Sequence, residues 1–138
     1  MMNKGKIFIG CGGAILLLVL AIVGFVIYIY SDKVYLAQHD AVTIEGKEFG
    51  KTTDQNGCIQ RGLSWLGEVK NPSIKQVTLN GRFVNECLRS AKPSPNFCKD
   101  VPKLLDRKWK KEQCSLVGRD DLTCDVVFDE KRSYCVGL

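Results

Sequence analysis

The chain has 138 residues, enough for one domain, with a formal net charge of +5 and seven cysteines. Residues 31–138 hold 18 Lys and Arg against 15 Asp and Glu. That balance is too even to argue for a nucleic-acid partner.

The first element is apolar. Between Ile7 and Tyr30 no charged residue occurs. As a helix this run extends about 36 Å at ~1.5 Å per residue, enough to cross a hydrocarbon core of ~30 Å. The cysteine in "FIGCGGAI", Cys11, resembles a lipoprotein acylation site only superficially, because the apolar run follows the cysteine instead of preceding it. The run is also longer than the core of a cleaved signal peptide, about 7–15 residues. An uncleaved signal anchor fits best. Lys4 and Lys6 precede it, whereas Asp32 and Lys33 nearly cancel after it. The positive-inside rule then places the N-terminus in the cytoplasm and residues 31–138 in the periplasm or outside the cell. Gly10, Ala14, Leu17, Ala21 and Gly24 recur at spacings of four and three, so they line one face. Small residues on a shared face let two membrane helices approach closely.

Residues 31–50 read as a juxtamembrane stalk, with "VTIEGKEF" as a small hairpin around Glu45-Gly46. A first amphipathic helix follows within 52–70. Thr52 and Gln55 have capping-box spacing, and Cys58, Ile59, Gly62, Leu63, Trp65, Leu66 and Val69 share a face. Asn71-Pro72 ends it. A second helix over 81–91 aligns Phe83, Val84, Cys87, Leu88 and Ala91. A third over roughly 97–113 places Cys98, Val101, Leu104, Leu105 and Trp109 on one face. Lys99, Lys103, Arg107, Lys110 and Lys111 fall on the opposite, basic face. At the C-terminus Leu122, Cys124, Val126 and Phe128 alternate, which predicts a hairpin turning at "DEKR". A short helix is its rival, since Cys124, Val127, Phe128 and Lys131 have helical spacing.

Six cysteines lie in the outer segment, an even number suited to three disulfides in an oxidising compartment. Charge and cysteine count thus agree on the orientation. Cys98 and Cys114, at opposite ends of the third helix, would stand ~24 Å apart, too far for a bond that needs about 4.4–6.8 Å between Cα atoms. The predicted elements favour Cys58–Cys114, Cys87–Cys98 and Cys124–Cys135. As staples these bridges explain the cysteines without any activity.

Rival chemistries are weak. No two cysteines have the C-x-x-C spacing of thiol–disulfide exchange, and none has the paired spacing of structural zinc. The single histidine, His39, lies on the stalk, a poor position for a catalytic triad. Carboxylates are plentiful, but none is singled out for acid–base work. No catalytic residue, cofactor or metal is expected. The basic face reads first as solvated, or neutralised by the acidic run Asp120–Glu130, and second as a patch for anionic lipid headgroups or an acidic partner.

The expectation is therefore a mainly α protein. It comprises a cytoplasmic tail (1–6), a membrane helix (7–30), a stalk (31–50) and a cysteine-rich domain of about three helices with a C-terminal hairpin (51–138). In layout alone, an N-terminal anchor before a small cysteine-bridged domain resembles small bacterial envelope proteins and the bitopic subunits of poxvirus fusion machinery. That likeness carries no residue across. The expected function is non-enzymatic binding or assembly in an envelope or at a surface. The membrane, crossed once, and a protein partner or a second copy through the small-residue face would be its contacts. A membrane-tethered hydrolase using carboxylates or His39, and a viral entry or fusion subunit, are the alternatives.

Overall fold

The computed structural model describes residues 11–65, 67, 69 and 71–137, with the side chains of 11–14 outside that description. The expected tail 1–6, the start of the apolar run and Gly10 lie outside the described residues, as do Leu66, Glu68 and Lys70. Among the described residues there are five helices and no strand ladder: α1 (Cys11–Thr52), α2 (Gln55–Trp65), α3 (Ile74–Ser90), α4 (Arg107–Leu116) and α5 (Leu122–Val136). The chain divides into two compact units, Met1–Ala37 and Gln38–Leu138.

In the first unit, α1 is the one described helix long and apolar enough to cross a membrane. Every large apolar side chain from Ile15 to Tyr30 is exposed. Leucine, isoleucine, valine and aromatic residues surround the helix, so no polar face exists to meet water. Ser31 donates its hydroxyl to the Ile27 carbonyl at 2.5 Å, a back-bond compatible with uninterrupted helix.

In the second unit, residues 38–52 are also helical, which corrects the hairpin expected at "VTIEGKEF". The alternation of Val42 and Ile44 suggests a strand, but Val42, Gly46, Phe49 and Gly50 have helical spacing; Val42 joins the core, and Gly46, Phe49 and Gly50 meet α3. Ile44 is exposed, and Val42, Gly46 and Gly50 are buried. The two glycines permit a close approach. A Cβ at Gly46 would sit 2.6 Å from the Phe83 carbonyl oxygen, and one at Gly50 would sit 2.5 Å from that of Cys87. Phe49 packs its ring 5.9 Å from that of Phe83.

Asp54 caps α2, its carboxylate accepting from the Gly57 N–H at 2.8 Å, while Thr52 belongs to the end of α1. The buried Gln55 ties three segments together. Its carbonyl accepts from the Ser94 N–H at 2.9 Å, and its amide nitrogen donates to the Tyr134 hydroxyl at 2.8 Å. Helix α3 starts at Ile74, seven residues before the expected start, behind a complete capping box of Ser73 and Gln76. It buries Val77, Phe83, Val84, Cys87 and Leu88. Full burial of such side chains stabilises by about 1.5–3 kcal/mol each.

The third helix is shorter than its apolar pattern suggests. Pro102 disfavours helical backbone at Val101, and Asp100 adopts a left-handed φ of 63°. Helix α4 begins only at Arg107. There Asp106 caps it, accepting from Lys108 and Trp109 N–H groups at 2.8 and 3.1 Å. The C-terminal hairpin is replaced by α5, capped by Asp121 through the Cys124 N–H at 3.0 Å. Helical spacing wins because Cys124, Val127 and Phe128 together enter the core, whereas Leu122 of the alternating set stays exposed. Helices α3 and α5 pack on each other, α2 packs on both, and α4 packs on α5. Trp109 meets Phe128 edge to face with centroids 6.0 Å apart.

All three expected disulfides are corrected. The bridges are Cys58–Cys87, Cys98–Cys135 and Cys114–Cys124, with Cα separations of 5.8, 5.3 and 5.9 Å. Once 122–136 is a helix, Cys124 and Cys135 lie ~16 Å apart along it and cannot bond. Each half of the expected Cys87–Cys98 staple is instead drawn to another element: Cys87 faces α2 from α3, and Cys98 meets the end of α5.

Candidate interaction surface

Corrected helix boundaries dissolve the expected basic face. Lys99 and Lys103 precede α4, and Arg107 opens it. Lys110 turns toward α5, where its Nζ lies 2.8 Å from Asp129 Oδ2 and only 14% of its side chain remains exposed. Lys111 lines a groove of about 370 Å³ with Arg107, Lys110, Cys114, Asp120 and Asp125. Cations and carboxylates are mixed there, so the acidic run partly neutralises the basic one.

Four further cations lie in the segment before α4 and in its first turn. Lys99, Lys103, Arg107 and Lys108 are exposed, and none has an ion-pair partner among the described residues. Between them Leu104 and Leu105 are 82% and 60% exposed. The loop that carries these leucines is fixed at both ends. The Cys98–Cys135 bridge holds its start, and the Asp106 cap holds its finish. Periodicity placed the two leucines in a buried stripe. The signal against that reading was local: Asp100, Pro102 and Asp106 are turn and cap residues inside the proposed helix.

A second groove, about 270 Å³, is lined by Asn85, Arg89, Ser133, Tyr134 and Gly137. Close to it, Asn85 donates to Glu130 at 2.8 Å. Burial pushes the Glu130 carboxyl up. The Asn85 hydrogen bond and the Arg82 and Arg89 charges oppose that push, the Asp129 charge adds to it, and the net value is raised. Asp121 shows the opposite balance. Burial raises its carboxyl, but the Arg119 hydrogen bond and charge and the N–H groups of Cys124 and Thr123 outweigh it and hold the value low. Arg119 also donates to the Leu63 carbonyl, so it joins α5's cap to α2. Lys131 is lowered by burial, with its Nζ 4.7 Å from the centroid of the Phe97 ring.

The other sequence candidates are not brought together. His39 lies 4.0 Å from its neighbour Asp40. Among the described residues no three His, Cys, Asp or Glu side chains are placed to hold a metal ion. On the small-residue face, Leu17 is exposed and a Cβ at Gly24 would meet nothing within 4 Å. Gly10 and the Ala14 side chain lie outside the described residues. Comparison with protein-family models, curated proteins and solved structures finds no match to this chain.

Proposed function

We propose that the chain is a single-pass, membrane-anchored binding or assembly component, without enzymatic activity, whose disulfide-bonded unit lies on the oxidising side of the membrane. The observation that carries this reading is the complete pairing of all six cysteines beyond the apolar run. Such bridges persist in oxidising compartments and are rare where thiols are kept reduced. They stiffen a small helical scaffold that presents surface side chains, and stiffening lowers the entropy lost when a partner binds.

The test is affinity capture of the full-length protein from detergent, followed by peptide mapping without reduction. The expected result is three cross-linked peptide pairs and one or more co-purifying envelope or surface proteins in stoichiometric amount. Free thiols at the six outer positions in freshly lysed cells would overturn the orientation. Capture of the chain alone, repeated after chemical cross-linking in intact cells, would overturn the assembly role.

A further inference from the structure

We propose that α4 is a self-association surface: two copies of the chain pair their α4 helices antiparallel across a two-fold axis that passes between Lys111 and Glu112. This goes beyond the binding role above and does not rest on it, since no second kind of protein is required.

Among the helices of its unit, α4 packs on α5 alone. Its inward side chains, Trp109, Lys110, Gln113 and Cys114, are buried or half-buried. Lys110 pairs with Asp129, and Cys114 is bridged to Cys124. Arg107, Lys108, Lys111, Glu112, Ser115 and Leu116 are all exposed. Steps of one and three residues place them in a single stripe along the helix.

The two ends of that stripe differ. Arg107 and Lys108 stand at the N-terminal end, with Lys103 just before them. Leu116 stands at the C-terminal end, with Asp120 beyond it. Asp120 and Asp125 share a groove with Arg107 and Lys111, yet none of these four forms an ion pair among the described residues. A stripe with cations at one end and carboxylates beyond the other matches itself when reversed. An antiparallel copy sets Lys111 against Glu112 of the second copy, and the two-fold repeats that contact with the roles exchanged. Each helix N-terminus then meets a C-terminus, so the opposite partial charges of the two ends attract.

Apolar exposure follows the same pattern. Nine large apolar side chains of the second unit are exposed among the described residues, and five of them, Leu104, Leu105, Leu116, Val117 and Leu122, flank α4. Antiparallel pairing brings the leucines before α4 to the apolar group after it. The remaining four, Ile44, Val69, Ile74 and Val136, are isolated in sequence, which is ordinary for a protein surface. A foreign partner needs only one end of the stripe; a match between its two ends is the requirement of a second copy. Both ends are also fixed before association. Cys98–Cys135 and the Asp106 cap hold the leading loop, and Cys114–Cys124 holds the last turn, so less chain entropy is lost on pairing.

The test is sedimentation equilibrium of the full-length chain in density-matched detergent micelles. The wild type should dimerise. Lys111→Glu and Glu112→Lys each set like charges against one another twice per dimer and should weaken dimerisation at least about tenfold. The double variant Lys111→Glu/Glu112→Lys restores opposite charges and should recover most of the loss. Unchanged far-ultraviolet circular dichroism and the three bridged peptide pairs in each variant show that the fold survives. A wild type that stays monomeric at every concentration overturns the proposal. So does a dimer that both single variants leave intact, since the anchor helices or another face would then hold it. Failure of the double variant to recover, with its bridges intact, also overturns it, because Lys111 and Glu112 would then not meet. None of these results alters the capture of an envelope or surface protein, on which the binding role stands.

Discussion

Two stretches of one helix make the sharpest contrast in the molecule. From Ile15 to Tyr30, α1 exposes every large apolar side chain. From Gln38 to Thr52 it exposes Ile44 but buries Val42, Gly46 and Gly50. Both stretches are helical, so the backbone does not distinguish them. What differs is the environment each circumference demands. The first is apolar all round and is satisfied by hydrocarbon, where only a fully hydrogen-bonded backbone survives. The second has one narrow face and is satisfied by another helix.

The largest expected effect comes from removing bridges that only the second unit owns. Cys98→Ala/Cys135→Ala opens a loop of 37 residues and should cost about 4 kcal/mol, whereas Cys114→Ala/Cys124→Ala opens one of 10 and should cost about 3 kcal/mol. Denaturant unfolding in micelles, followed by near-ultraviolet circular dichroism, measures both. Helicity of the anchor stretch should survive either change. Its loss alongside the core would break the contrast.

Next comes one substitution made twice in α1. Gly50→Ala places a methyl group against the Cys87 carbonyl and the Ser90 Cβ, and should lower the unfolding free energy by about 1–3 kcal/mol. Gly24→Ala meets nothing and should leave the unfolding of the second unit unchanged. Equal effects at the two positions would show that the stretches share one environment.

Asp121→Ala removes the α5 cap and should cost about 1 kcal/mol at neutral pH. The folded-state carboxyl is held below its ordinary value of 3.8, so its contribution is present above that pH. It fades as pH falls through the depressed value, and the gap between wild type and variant should close there. The smallest effect has the opposite sign. Glu130 is raised above 4.5 in the folded state, so ionising it weakens the fold as pH rises through and beyond that value. Glu130→Gln should therefore stabilise the protein at pH 7, with the gain closing as pH drops below 4.5. Thermal unfolding at a series of pH values reads both lines.

The apolar run, the helix carrying Cys58 and the helix carrying Cys87 were legible because their patterns are long or strongly periodic. The loop before α4 and the last helix were not. Leu104, Leu105 and Trp109 share a helical face, and that periodicity outweighed Asp100, Pro102 and Asp106. At 122–128, alternation and helical spacing coexist in the same seven residues. Only the tertiary demand that Cys124, Val127 and Phe128 enter one core decides between them. Disulfide pairing inherited both errors, because each proposed bridge rested on a helix end or a turn that moved. The loop before α4 is half visible: its cations are evident, but helical periodicity assigns its exposed leucines to the interior.

The order of the bridges along the chain bears on how the protein is made. Cys58–Cys87 joins the first two of the six bridged cysteines, but Cys114–Cys124 is nested inside Cys98–Cys135. A chain oxidised as it emerges from its N-terminus presents Cys98 and Cys114 together before Cys124 and Cys135 arrive. Pairing in order of appearance would join the wrong two sulfurs. Correct maturation therefore requires either that α5 docks before these thiols are oxidised or that an isomerase exchanges them afterwards. The last 15 residues of ordered helix thus control the redox fate of cysteines synthesised well before them.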